Sequence, residues 1–153
     1  MSTLNVNSLE RIKGVHPRLI EVFIKASENA PHNFQIPRDG GVRTVERQKE
    51  LYTQGRTNLS KKKVTNADGV KKKSNHQLKE DGYGHAVDIF ILLPNKKASW
   101  DKKMIKSVAE HIIKVGLELG VIIRWGGDFN MDGDKTTSDA WDYPHFEIKS
   151  FIK

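Results

Sequence analysis

The stretch from Gly84 to Leu93, GHAVDIFILL, constrains the fold more than any other part of the sequence. It is rich in β-branched and aromatic residues, which is typical of a strand. Alternation along a strand gives one face to Val87, Ile89 and Ile91 and the other to Ala86, Asp88 and Phe90. A carboxylate in a buried sheet is costly unless a metal ion or another cation compensates it. The stretch therefore predicts a central strand on which Asp88 faces a cation.

Helical and strand patterns alternate around this central strand. Apolar residues recur at helical spacing in residues 8–29, 43–55 and 99–119, and we expect the first segment to restart near Pro17. Strand patterns occupy residues 33–37, 121–125 and 145–148. This order predicts an α+β fold in which a small antiparallel sheet, flanked by helices, carries the site. At 153 residues, the chain is expected to form a single domain over residues 1–153.

The composition excludes several classes of protein. The chain has no Cys, so it has neither disulfides nor thiolate ligands, and a metal ion would have to be held by His, Asp or Glu. No stretch approaches the ~18 uninterrupted apolar residues of a membrane span, and the first residues lack a basic region followed by an apolar one. We therefore expect no export signal and no membrane insertion.

Two histidines can join Asp88 in a metal site. His76 precedes the central strand, and His145 lies near the end of the chain with Asp142 three residues before it. Two imidazoles and one carboxylate suit Zn2+, and three protein ligands leave the fourth tetrahedral position open, as in catalytic zinc sites. The pattern thus indicates a small zinc hydrolase. The alternative for each histidine alone is a surface or hydrogen-bonded side chain.

The order of these motifs resembles that of a known family. Ser74-x-His76, Gly84-x-Ala86-x-Asp88 and Asp142-x-x-His145 together resemble the signature of the LAS-type zinc peptidases, which include D-alanyl-D-alanine carboxypeptidases and L-alanyl-D-glutamate endopeptidases. Further similar stretches are Arg43-Thr44 with Gln48, Leu51-Tyr52-x-x-Gly55, and Trp125-Gly126-Gly127-Asp128. The resemblance covers about residues 34–148. Among the members, the chain is most similar to phage endolysins that are L-alanyl-D-glutamate peptidases, because Asp rather than Glu precedes the last histidine.

The resemblance implies a role for each matched residue. His76, Asp88 and His145 would hold zinc, and Asp142 would take a proton from the attacking water and pass it to the leaving amine. Arg43 would pair with a substrate carboxylate or the developing oxyanion; alternatively, it is a helix-start arginine bonded to a loop carbonyl. The expected substrate-binding residues are Arg43, Gln48, Ser74 and Trp141.

The spacing between the first two zinc ligands departs from the family pattern. His76 and Asp88 are twelve positions apart, which is longer than usual, and the extra residues within QLKEDGYG would form a longer bend. His85 is the competing ligand for His76. Because His85 is three positions before Asp88 on a strand, it would point to the opposite face, and we favour His76.

A second metal motif follows the strand at residues 121–125. Asp128, Asn130, Asp132 and Asp134, with Asp139 at the twelfth position, match an EF-hand calcium loop except that Asp replaces the final Glu. The alternative is a turn rich in Asp and Asn. If Ca2+ binds at residues 128–139, it would order the loop that leads to Asp142 and His145, and calcium would then regulate activity.

The net charge of +7 is concentrated in one segment. Six lysines lie between Lys61 and Lys73, inside a polar stretch of about residues 56–74 that we expect to be a mobile loop. The loop is either simply solvated or attracted to a polyanion such as a cell-wall polymer. Nucleic acid is not expected as a partner, because the segment lacks aromatic residues for base stacking.

The leading hypothesis is a monomeric endolysin that cleaves the L-alanyl-D-glutamate bond of the peptidoglycan stem peptide. It would reside in the cytoplasm of the infected host cell and reach the periplasmic wall after another protein has permeabilised the membrane. The rivals are a D-alanyl-D-alanine carboxypeptidase or dipeptidase, a non-catalytic basic, calcium-dependent wall-binding module, and, third, a nucleic-acid binder.

Overall fold

The computed structural model describes residues 3–54, 56–57, 67–70, 74–128, 131 and 142–152. Its helices are α1 (Val6–Arg11), α2 (Pro17–Ser27), α3 (Val45–Thr53) and α4 (Lys102–Glu118). Its strands are β1 (Phe34–Gln35), β2 (Ala86–Asp88), β3 (Phe90–Leu92), β4 (Ala98–Ser99), β5 (Val121–Trp125) and β6 (His145–Phe151). The predicted α+β fold with antiparallel pairing is confirmed.

The predicted division of the first helical segment is confirmed. Pro17 is the first residue of α2, where its missing N–H costs nothing and its fixed φ favours the helix. His16 caps this helix, since its Nδ1 accepts a hydrogen bond from the Arg18 backbone N–H at 3.2 Å. Gly14, in the link between the two helices, has φ +87°, a conformation that favours glycine.

The expected single central strand is wrong in one respect, because it is two strands of different sheets. β2 belongs to the sheet ordered β2-β6-β5, whereas β3 belongs to the sheet ordered β1-β3-β4. The change falls at Ile89, whose N–H donates to the Pro144 carbonyl at 3.0 Å. The predicted alternation survives this change, since Val87, Ile89 and Ile91 are all buried. β4 was not predicted; it is only two residues long.

Helices α2 and α4 cover the apolar face of the β2-β6-β5 sheet. Phe23 of α2 meets Phe146 of β6 edge to face, with ring centroids 5.7 Å apart. Trp125, at the end of β5, stacks on the same Phe146 ring. These aromatic contacts thus fix the end of β5 and the start of β6 against the core. Within the described part of the chain, no helix is both long and apolar enough to cross a membrane.

Gly116 allows α4 to lie close to β5. A Cβ at this position would be 2.8 Å from Ile123 Cδ1 and 2.9 Å from the Val121 carbonyl oxygen. Because these neighbours include backbone, the helix would have to move away from the sheet.

We therefore predict that Gly116→Ala destabilises the protein by about 1–3 kcal/mol, although alanine favours a helix. Urea unfolding followed by circular dichroism measures the change. Lys114→Ala, at an exposed position of the same helix, is the matched control and should stay within about 0.5 kcal/mol of the parent. A Gly116→Ala protein as stable as the parent would contradict the close packing of α4 on β5.

Candidate metal centre

Three side chains from distant parts of the chain converge at one edge of the β2-β6-β5 sheet. Asp88 ends β2 and His145 begins β6, and the two are paired in register. His76 comes from the loop before β2. Its Nε2 lies 3.2 Å from Asp88 Oδ1 and 3.2 Å from His145 Nδ1, and the last two atoms are also 3.2 Å apart. These three residues form a group that can hold a metal ion.

The distances within this group fit a tetrahedral ion. Zinc binds imidazole nitrogen and carboxylate oxygen at about 2.0–2.1 Å, which places neighbouring tetrahedral ligands about 3.3 Å apart. The three observed edges of 3.2 Å match this value. The donor set, with two nitrogens and one oxygen, also suits zinc and related divalent metals. The residues therefore fit a metal ion bound on three sides.

Each ligand is held by a second contact through its other polar atom. His76 Nδ1 lies 2.9 Å from the Gly41 carbonyl oxygen, and His145 Nε2 lies 2.7 Å from Glu147 Oε1. Arg43 donates to Asp88 Oδ2 at 3.1 Å. Such outer contacts orient metal ligands and fix the histidine tautomers. The sequence motifs gave no role to Gly41 or Glu147, although alternation along a strand puts Glu147 on the same face as His145.

Burial and mutual charge set the protonation of the metal-free group. Burial lowers the pKa of His76 below its ordinary value, even though Asp88 acts against this. Burial would also lower the pKa of His145, but its hydrogen bonds to Asp88 and Glu147 outweigh burial and raise it to about 10. For Asp88, the adjacent histidines outweigh burial and hold the pKa well below its usual range. Without metal, a protonated His145 thus compensates the Asp88 carboxylate.

Asp142 lies in the turn that leads into His145. The His145 N–H donates to the Asp142 carbonyl at 3.0 Å, and the Asp142 N–H donates to the Gly126 carbonyl at 3.1 Å. A Cβ at Gly126 would overlap the Asp142 carbonyl oxygen, so this approach requires glycine. Burial and then the charge of Asp88 raise the pKa of the Asp142 carboxyl to about 6. A carboxyl with a pKa near neutrality is suited to proton transfer.

Arg43 lies beside the metal group and is held on three sides. Besides its contact with Asp88, its Nε donates to the Asp39 carbonyl at 3.0 Å and one terminal nitrogen donates to Gln48 Oε1 at 3.2 Å. Arg43 therefore makes the bond to a loop carbonyl that the alternative predicts, and it also lies beside the metal group. Gln48 is fully buried, and its amide also donates to the Ala67 carbonyl at 2.8 Å. Gln48 thus contacts Arg43 rather than an open surface.

The loop before β2 holds the remaining predicted residues. Ser74 Oγ accepts a hydrogen bond from the His76 backbone N–H at 3.2 Å, so this side chain orders the loop around the ligand. The longer bend expected between the ligands is present: the Lys79 N–H donates to the Tyr83 carbonyl at 2.8 Å, closing a turn around Gly82. His85 is not part of the metal group; its Nε2 lies 2.7 Å from Asp81 Oδ2.

Several predicted features lie outside the described residues. They are Trp141, Gly55 of the Leu51-Tyr52-x-x-Gly55 stretch, most of the basic loop at 56–74, and all calcium candidates except Asp128. Asp128 follows the β5 strand, and its N–H donates to the Trp125 carbonyl at 3.0 Å.

A metal group of two histidines and one aspartate, carried by an α+β fold with a partly buried carboxyl in the adjoining turn, is characteristic of metal-dependent hydrolases. Comparison with known proteins gives the family. Residues 1–149 match the family model described as phage L-alanyl-D-glutamate peptidase. The chain is 30% identical to the L-alanyl-D-glutamate peptidase of Escherichia phage T5, over 93% of this chain and 94% of that protein. The chain therefore belongs to the phage L-alanyl-D-glutamate peptidase family.

A solved structure supports the fold. The crystal structure of the Serratia marcescens L-Ala D-Glu endopeptidase ChiX superposes with a TM-score of 0.63, covering 96% of this chain and 90% of that one at 24% identity. At this identity the match concerns the fold alone. The resemblance to LAS-type peptidases inferred from the sequence motifs, and within them to phage L-alanyl-D-glutamate peptidases, is confirmed by the family match.

We predict that the metal-free protein binds one divalent ion at this group. Excess Zn2+ should raise the melting temperature, because a ligand at about 100 times its Kd stabilises the folded state by about 2.7 kcal/mol. His76→Ala and Asp88→Asn should lose the increase. His85→Ala is the matched control and should keep it, since His85 bonds Asp81 instead. Loss of the increase in His85→Ala alone would reverse the choice between the two histidines.

Proposed function

We propose that this protein is a zinc-dependent endolysin that hydrolyses the L-alanyl-D-glutamate bond of the peptidoglycan stem peptide during host cell lysis. The observation that carries the proposal is the convergence of His76, Asp88 and His145 beside the partly buried carboxyl of Asp142. Family membership supports the choice of bond, since the T5 relative is named an L-alanyl-D-glutamate peptidase.

In the proposed mechanism, His76, Asp88 and His145 hold the ion. Zinc, when bound, supplies Lewis acidity that activates water and polarises the scissile carbonyl. Asp142 accepts the proton of the attacking water and later delivers it to the leaving amine. Its turn is stiffened by Pro144, whose carbonyl is held by the Ile89 N–H at 3.0 Å, so the carboxyl is positioned before substrate arrives.

In this proposal, Arg43 both contacts Asp88 and binds the substrate. Three of its five N–H donors are engaged by Asp39, Gln48 and Asp88, which fixes the guanidinium plane. The remaining donors can bind a substrate carboxylate or the developing oxyanion. Gln48 supports Arg43 from the buried side, while Ser74 and Trp141 complete the proposed substrate-binding set.

The experiment is digestion of purified sacculi with mass spectrometry of the products. The wild type should release stem peptides that begin with D-Glu. Asp142→Asn should lower kcat by about 10²–10⁴-fold, because the proton acceptor is lost while the metal ligands remain. Asp142→Asn should still bind zinc, whereas His76→Ala should lose both binding and cleavage.

The products also separate the rival functions. Release of free D-alanine would identify a D-alanyl-D-alanine carboxypeptidase and contradict the proposed bond. Wall binding without cleavage, unchanged by Asp142→Asn and by zinc chelators, would identify the non-catalytic module. The third rival, nucleic-acid binding through the lysines between Lys61 and Lys73, would be identified by an affinity for nucleic acid that falls steeply with salt.

Location and assembly complete the proposal. We infer that the protein acts as a monomer, accumulates in the cytoplasm of the infected host, and reaches the periplasmic wall once another protein has permeabilised the inner membrane. The support is membership in a phage peptidase family. Turbidity loss of permeabilised Gram-negative cells, compared with intact cells, measures the need for such a partner.

Calcium regulation through Asp128, Asn130, Asp132, Asp134 and Asp139 remains part of the proposal, on the strength of the sequence motif. We predict that a calcium-selective chelator lowers activity and melting temperature, and that added Ca2+ restores both. Asp132→Ala should make the protein insensitive to either treatment. If neither activity nor melting temperature of the wild type responds to calcium, the calcium hypothesis is wrong and the alternative, a turn rich in Asp and Asn, is favoured.

A further inference from the structure

Glu147 connects three segments that form the metal centre. Its Oε1 accepts a hydrogen bond from His145 Nε2 at 2.7 Å, and its Oε2 lies 3.5 Å from Arg124 Nε on the adjacent strand β5. The side chain of Asn75, the residue before His76, lies close enough to lower the pKa of the Glu147 carboxyl. One carboxylate, with its side chain only 12% exposed, thus links His145 to β5 and lies beside the segment that carries His76.

The two histidines of the centre are held in different ways. His76 offers Nε2 to the metal position and donates Nδ1–H to the uncharged Gly41 carbonyl. His145 offers Nδ1 and donates Nε2–H to the Glu147 carboxylate. A carboxylate withdraws the proton more strongly than a carbonyl does, and this makes the opposite nitrogen a stronger electron donor. His145 is therefore the more strongly donating imidazole.

Arg124 keeps the Glu147 carboxylate in place. The two residues are paired across strands β5 and β6. Among the described residues, Glu147 is the only carboxylate that forms an ion pair with Arg124. The Arg124 side chain is 32% exposed, and its charge compensates the Glu147 carboxylate from the adjacent strand. The charges then alternate from Arg124 through Glu147 to His145.

We propose that Glu147 is a positioning residue that fixes the tautomer and orientation of His145 and thereby strengthens metal binding, with Arg124 holding its carboxylate. This inference rests on the proposed function, since it concerns the metal of that same site. It assigns Glu147 no contact with the substrate. Its effect on catalysis is exerted through His145.

The test is metal binding by Glu147→Gln, which keeps the size of the side chain and an acceptor oxygen but removes the charge. Zinc affinity is measured by competition with a chelating dye. We expect it to fall about 10–100-fold, the usual effect of losing a partner that holds a metal ligand. Glu118→Gln, at an exposed position of α4, is the matched control and should bind zinc like the parent.

A spectroscopic measurement separates positioning from a purely structural role. In the Co2+-substituted protein, the visible absorption bands report the ligand field, and they should shift in Glu147→Gln and stay unchanged in Glu118→Gln. The double variant Arg124→Gln/Glu147→Gln removes the unpaired arginine. Without metal, the double variant should be more stable in urea than Glu147→Gln alone, because no arginine at this position then lacks its carboxylate partner. Its zinc affinity should stay as low as that of Glu147→Gln.

The outcomes distinguish this inference from the proposed function. If the wild type binds zinc, His145→Ala does not, and Glu147→Gln binds within twofold of the wild type with unchanged Co2+ bands, the inference is wrong and the zinc site stands. If the wild type itself binds neither Zn2+ nor Co2+, the proposed function fails and the inference with it.

Discussion

The antiparallel pairing of β2 with β6 is the constraint on which the site depends. It places Asp88 directly opposite His145, so that the last residue of one strand and the first residue of the other share an edge of the sheet. Directly opposed side chains in an antiparallel pair are within about 5.5 Å at Cβ, close enough for both to bind one ion. Slippage by one residue would send one of them to the other face. The register is secured by the core behind it, where Phe146 packs between Phe23 and Trp125.

The third ligand reaches this edge because backbone segments approach each other closely. Gly41 accepts the hydrogen bond from His76, and a Cβ on it would overlap the Arg11 carbonyl at the end of α1. Gly126 plays the same part for the Asp142 turn. Both glycines are therefore required by space at the point where a functional side chain is positioned. The α1 helix, far from the chemistry in sequence, thus shapes the metal centre through the turn at Gly41.

Electrostatics then give the two carboxyl groups different properties. Asp88 lies between two imidazoles and an arginine, and its pKa is held well below the usual range. Asp142 is partly buried with the negative charge of Asp88 nearby, and its pKa rises to about 6. One group is thus a permanent anion suited to hold a metal, and the other can exchange a proton near neutral pH. Two aspartates of identical chemistry acquire separate roles from their surroundings.

Much of this arrangement could be predicted from the sequence. Hydrophobic periodicity identified the four helices, the buried face of Val87, Ile89 and Ile91, and strands at β5 and β6, while motif order identified the metal group and the family. Periodicity records which side of a local backbone is buried, and that is encoded by neighbouring residues. It does not record which strand lies alongside. Periodicity therefore could not predict the change of sheet at Ile89, where the backbone N–H donates to the Pro144 carbonyl.

The contacts around the metal group were decided by tertiary structure for the same reason. The sequence supplied His145, Glu147, Arg43 and Asp88, but the nitrogen that each histidine turns towards the metal depends on its distant partner, Glu147 for one and Gly41 for the other. Arg43 faces Asp88 only because the turn before α3 meets the end of β2, where the Asp88 N–H donates to the Gly40 carbonyl. Residue types fix the available chemistry, whereas long-range approach of the backbone selects which atoms meet.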